Sequence, residues 1–134
     1  MTTRALLETT TISDILDREP NTIACVNALS STDTVAAPVV SYGEIWFGLE
    51  TMSQGRRRRR YERQARAFFS SLLLEPVTQA VAETYFQIKA DLQRKGQMIP
   101  EADLWIAATA KANGYVLISR DNHFSRVDGL TIED

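Results

Sequence analysis

Four carboxylates stand out for where they fall. Glu8 closes the apolar run Arg4-Ala5-Leu6-Leu7, and Glu44 comes just after the β-rich Val35 to Val40. Asp103 opens a helical pattern, and Asp121 lies just past Tyr115-Val116-Leu117-Ile118. In an open parallel sheet the strand ends share one edge, so acids distant in sequence can meet there. Gathered carboxylates repel and raise their own pKa values unless a cation lies among them. Oxygen ligands without His or Cys suit Mg²⁺ or Mn²⁺, which favour octahedral oxygen coordination and keep several waters. Such a site activates water and shields a phosphodiester during in-line attack. Plainer readings exist for single acids. Asp103, like Glu101, could offset a helix dipole, Asp121-Asn122 could be a polar turn, and Glu44 stands at capping-box spacing from Ser41.

The elements that must position these acids alternate. Leu6-Leu7 lies in a short first strand, and Thr9, Thr10 and Thr11 offer hydroxyls to cap a helix through Ile12, Ile15 and Leu16 that Glu19-Pro20 ends. A second helical stretch runs from Ile23 to Leu29, and Ser30 to Asp33 is a polar break. Val35 to Val40 reads as a strand whose Pro38 argues for a sheet edge or an irregularity. Ser41-Tyr42-Gly43-Glu44 then opens a helix with Ile45, Leu49 and Met52 on one stripe. Gln54-Gly55 breaks the chain before a helix marked by Tyr61, Ala65, Phe68, Phe69 and Leu72. Leu73 to Pro76 holds a short strand, and Thr78 to Lys95 is a helix stopped by Gly96. Pro100 suits a first helical position, Ile106, Ala107 and Ala110 share a stripe with Asp103, and Asn113-Gly114 stops that helix. Tyr115 to Ile118 is a buried strand, and Gly129 to Ile132 a short last one. Strands alternating with helices predict α/β architecture, one domain over residues 1–134 with a parallel sheet of about five strands covered on both faces.

Composition narrows the class. The 134 residues are 44% hydrophobic and 24% charged, enough for one core. No apolar run reaches the roughly 18 residues of a membrane span, and no secretory pattern opens the chain. Cys25 is alone, which excludes a disulfide framework and a Cys-based zinc site; it reads as a small core residue. A cytoplasmic protein is expected. Net charge is only −2, yet seven of the 15 Lys and Arg residues lie between Arg56 and Arg66.

The order of motifs resembles that of PIN-domain ribonucleases, especially the toxins of VapBC-type toxin–antitoxin modules. Leu6-Leu7-Glu8-Thr9-Thr10 stands where those chains open with Leu-Leu-Asp-Thr-Asn, and Ser41-Tyr42-Gly43-Glu44-Ile45-Trp46-Phe47-Gly48 follows their Ser-x-x-Glu segment. Asp103-Leu104-Trp105-Ile106-Ala107-Ala108-Thr109-Ala110 matches their Asp-x-x-Ile-Ala-Ala-x-Ala helix, and Ser119-Arg120-Asp121-Asn122-His123-Phe124 their last motif. The resemblance covers essentially the whole chain. It implies a metal-dependent endoribonuclease in which Glu8, Glu44, Asp103 and Asp121 hold one or two Mg²⁺ or Mn²⁺ ions, with Ser119 as a hydrogen-bond partner behind them. It also implies an RNA substrate, a homodimer and a cognate antitoxin. One departure stands out: the family's first acid is nearly always Asp, followed by an ordering Asn, where this chain has Glu8 and Thr10. The added methylene moves the carboxylate by about 1.5 Å, against a catalytic tolerance of about 0.5 Å, which implies attenuated activity.

The remaining signals are lesser. Five consecutive arginines spread around more than one helical turn and repel without an anionic partner. Arg56, Arg57, Arg58, Arg59, Arg60 and Arg63 are therefore candidates to bind RNA phosphates or an acidic antitoxin segment. His123, the sole histidine, reads as turn filler or as a proton-transfer aid. Trp46 and Trp105 read as core or interface residues. A non-catalytic PIN-fold module that binds RNA or a partner is the alternative function. A structure-specific DNA nuclease would use the same metal chemistry, but the small size disfavours it.

Overall fold

A computed structural model of the chain describes residues 3–18 and 34–134. The stretch Ile23 to Leu29 with Cys25, the Glu19-Pro20 stop and the break at Ser30 to Asp33 lie outside the described residues. The strands are β1 (Arg4–Leu7), β2 (Thr34–Pro38), β3 (Leu73–Glu75), β4 (Val116–Ile118) and β5 (Ile132–Glu133). The helices are α1 (Thr9–Leu16), α2 (Val39–Glu50), α3 (Arg56–Ser70), α4 (Gln79–Lys95) and α5 (Glu101–Asn113), with a 3₁₀ turn at Asn122–Arg126.

All pairings are parallel, and the sheet runs β3-β2-β1-β4-β5. This is the α/β architecture that the sequence predicts. The chain enters at the middle strand, moves outward through β2 and β3, then returns to the other side of β1 for β4. The neighbours β1 and β4 therefore mark the point where strand order reverses, the place beyond whose carboxyl ends open α/β sheets bind their ligands.

Strand alternation sorts the core into two layers. Leu6, Ala36 and Leu117 belong to a cluster with Val81, Ile88, Leu92, Leu104, Ala107 and Ala108 of α4 and α5. Ala5, Leu7, Ala37 and Ile118 belong to the opposite cluster, with Ile12, Ile45, Leu49, Ala65 and Phe69 of α1, α2 and α3. Truncating a central residue such as Leu117, fully buried, to Ala would cost about 2–5 kcal/mol.

Several local expectations are corrected. Pro38 is not at an edge: β2 is interior, and Pro38 is tolerated because it ends the strand and precedes α2. Ser41 caps nothing, since α2 already begins at Val39, so the capping box with Glu44 does not form. The threonines do not cap α1. The Glu8 carboxylate does, accepting from the backbone N–H groups of Thr10 and Thr11. Pro100 precedes the first helical residue of α5 rather than occupying it. Nor is α5 a one-stripe helix: Leu104, Ile106, Ala107, Ala108, Thr109 and Ala110 are all buried, as in a helix enclosed by its neighbours. Gly96 and Gly114 end α4 and α5 in the left-handed conformation, at φ 66° and 70°.

Candidate metal centre

Three of the acids owe their place to chain reversals at the carboxyl edge of the sheet, while Glu44 lies in the second turn of α2. Glu8 follows β1 directly and is only 2% exposed. Its Oε2 accepts from Thr10 N at 3.0 Å, and its Oε1 accepts from Thr11 N at 3.0 Å. Thr11 in turn donates its hydroxyl to the carbonyl of Ile118 at 2.8 Å, tying the start of α1 to the end of β4. Ser119, also buried, accepts from Asp121 N through Oγ at 3.0 Å, and Asp121 Oδ1 accepts from His123 N at 3.0 Å. The loop after β4 is thereby folded onto itself, and fully buried Phe124 anchors it. Asp103 lies in the first turn of α5, where the helix dipole favours a negative charge. Glu44, on α2, accepts a 2.6 Å hydrogen bond from Thr9 Oγ1, which also lies 3.0 Å from Ser41 Oγ.

The centre of the arrangement is a triad. Asp103, Asp121 and His123 each offer a ligand atom, all within 4.8 Å of one another. His123 Nδ1 lies 3.3 Å from Asp103 Oδ2 and 3.1 Å from Asp121 Oδ1. Burial pushes the Asp103 pKa up; the His123 hydrogen bond opposes this, and the charges of Asp121 and Glu44 add to it. Glu8 is also raised, first by burial, against the lowering effect of the Thr10 and Thr11 N–H groups and of the Ser119 hydroxyl; the charge of Asp103 raises it further. Asp103 thus feels three other acids, and the four carboxylates that the sequence singles out share one electrostatic neighbourhood. Arg120, the nearest arginine along the chain, does not relieve it: its guanidinium is 2.7 Å from Asp14.

The donor set fits a divalent cation. Closely spaced oxygens under mutual repulsion, with an imidazole nitrogen among them, gain from one. Sequence reasoning missed the nitrogen. His123 lies in the 3₁₀ turn as expected but also reaches two of the acids from it, and the available signal was its position two residues after Asp121.

The arginines divide. Arg58 turns inward, pairing with Glu62 at 2.7 Å and Glu50 at 3.3 Å and donating to the Met52 carbonyl. Arg57 and Arg60 lie 5.7 and 5.5 Å from the Tyr61 ring. Both are exposed, as are Arg56, Arg59 and Arg63. Trp105 stacks on Tyr85 at 3.7 Å against the core, and Trp46 is half-buried beside Arg66.

Comparison with known proteins gives concordant relatives. Residues 5–130 match the PIN domain family. The chain is 29% identical over 133 residues to VapC ribonuclease Y4jK of Sinorhizobium fredii, covering 95% of this chain and 94% of that protein. It is 30% identical over 122 residues to Toxin FitB of Neisseria gonorrhoeae, covering 87% and 86%. The crystal structure of DNA-bound VapBC from Salmonella typhimurium superposes with a TM-score of 0.87 at 25% identity, covering 99% of this chain and 98% of that one.

Proposed function

This chain belongs to the PIN domain family, and we propose that it is a divalent-cation-dependent endoribonuclease, the toxin of a toxin–antitoxin pair. The observation that carries this reading is the meeting of Asp103 and Asp121, on separate elements, within ligand distance of each other at the strand-order reversal. Asp103, Asp121, Glu44 and Glu8 would hold Mg²⁺ or Mn²⁺, and Ser119 would fix the Asp121 turn behind them. When bound, the cation would lower the pKa of an attacking water and shield the phosphodiester charge. The chain's own contribution is placement: Thr9 orients Glu44, the 3₁₀ turn orients Asp121, and the first turn of α5 holds Asp103.

Exposed Arg56, Arg59 and Arg63 are suited to neutralising RNA phosphates, with affinity that falls as salt rises. Because relatives are solved as toxin–antitoxin complexes, a cognate antitoxin is part of the proposal, as is self-association. Phe47, 70% exposed on α2, is apolar surface available to such a partner. The cytoplasm is the proposed compartment; no helix among the described residues is long and apolar enough to cross a membrane.

The test is cleavage of structured and unstructured RNA with Mn²⁺, with Mg²⁺ and with EDTA, beside Asp103→Asn. Cleavage that requires metal and vanishes in the variant is expected. A second reading, a non-catalytic RNA- or partner-binding module, draws support from Glu8, whose carboxylate oxygens already accept N–H groups. Salt-sensitive RNA binding without cleavage under any condition would favour it.

A further inference from the structure

We propose that His123 is a nitrogen ligand of the cation held by Asp103 and Asp121, and that this mixed donor set makes the site prefer Mn²⁺ to Mg²⁺. The inference rests on the cation reading above and sharpens it. His123 Nδ1 stands between the two carboxylates, 3.1 Å from one and 3.3 Å from the other. It therefore occupies the gap that a cation drawing both oxygens inward would face. Without a cation Nδ1 carries the proton it shares with the carboxylates; on binding one, the imidazole would keep its proton on Nε2 and turn the Nδ1 lone pair to that gap.

Two features hold the nitrogen there. His123 N donates to Asp121 Oδ1 at 3.0 Å, and fully buried Phe124 fixes the register of the next residue. The other side of the site is poorer in free oxygen. Glu8 accepts two backbone N–H groups and a contact from Thr11 Oγ1, so its lone pairs are largely engaged. An imidazole that supplements this set shifts it away from the all-oxygen shell that Mg²⁺ demands and toward first-row transition ions.

His123 is the only histidine in the chain, so isotopic labelling of histidine reports on it alone. The protein, made without a histidine tag, is loaded with Mn²⁺ and studied by pulsed electron paramagnetic resonance. Nitrogen modulation that changes on ¹⁵N-histidine labelling and disappears in His123→Asn is expected. The variant should also lose at least on the order of tenfold in Mn²⁺ affinity, the loss that removing even an outer-shell partner causes, with Mg²⁺ affinity changing far less. Bound Mn²⁺ without histidine modulation, displaced by Asp103→Asn, would overturn the proposal while leaving the cation reading intact. No Mn²⁺ binding by the wild-type protein would overturn both.

Discussion

Thr9 Oγ1 donates to Glu44 Oε1 at 2.6 Å, joining the first residue of α1 to an acid on α2 across 35 positions of chain. This bond couples the carboxyl end of β1 to the helix that follows β2. Thr9→Val removes the hydroxyl while keeping the shape. Cleavage should fall by on the order of tenfold, since small misplacements of catalytic groups cost up to about 100-fold. Stability should fall by only about 1 kcal/mol. Kinetics beside a denaturant melt separate the two, and a purely proportional loss would argue against a positioning role.

Glu8→Asp should raise cleavage. Aspartate is a strong helix N-cap, so α1 keeps its cap while the carboxylate is drawn back by about 1.5 Å. Glu8→Ala loses the cap and should cost about 0.5–2 kcal/mol. Equal or lower activity of the aspartate variant in a paired assay would show that the longer side chain is tolerated.

The acidic centre should make the metal-free protein sensitive to pH. Burial raises both Glu8 and Asp103 above ordinary carboxylate values. In the window from about pH 4 up to those raised values, the folded state binds more protons than the unfolded one. Stability contributed by these groups therefore falls as pH rises through the window. In EDTA, Asp103→Asn should melt higher than wild type at neutral pH, and the gap should narrow toward about pH 4. Melting curves across that range decide it, and a constant gap contradicts the account.

The arginines should separate by function. Arg58, with a side chain only 13% exposed and paired to Glu50 and Glu62, is structural, and Arg58→Ala should cost about 1–3 kcal/mol. Arg59→Glu with Arg63→Glu should leave the melting temperature nearly unchanged but weaken RNA binding. It should also flatten its salt dependence by about 0.7 in slope per lost phosphate contact. Retardation assays at several salt concentrations measure this.

Much of the sheet was legible because buried strands are short apolar runs between turn signals. Tyr115 to Ile118 and Leu73 to Pro76 contain β4 and β3, each with one residue to spare. The acids were legible for a topological reason: Glu8 and Asp121 follow strands and Asp103 opens a helix, and parallel strands share their ends. Glu44, expected in a first helical turn, lies instead in the second turn of α2. Local chemistry was harder. The cap of α1 went to Glu8 because its carboxylate can accept two N–H groups at once, while spacing alone favoured the threonines. Ser41 sits at capping-box spacing, yet Pro38 starts α2 earlier and leaves the serine inside the helix. His123 was obscured because its partners are carboxylates 2 and 20 residues away, a relation that periodicity does not encode.

Both outermost strands of the described sheet are brief: β3 spans three residues and β5 two. So few unpaired backbone groups make a weak template for a foreign strand, which guards against edge-to-edge aggregation. Growth of the sheet across molecules is thereby disfavoured, and contacts between chains are left to helix surfaces such as that bearing Phe86, 59% exposed on α4. Side-chain fit, which can discriminate one partner from another, then governs association in place of the backbone, which cannot.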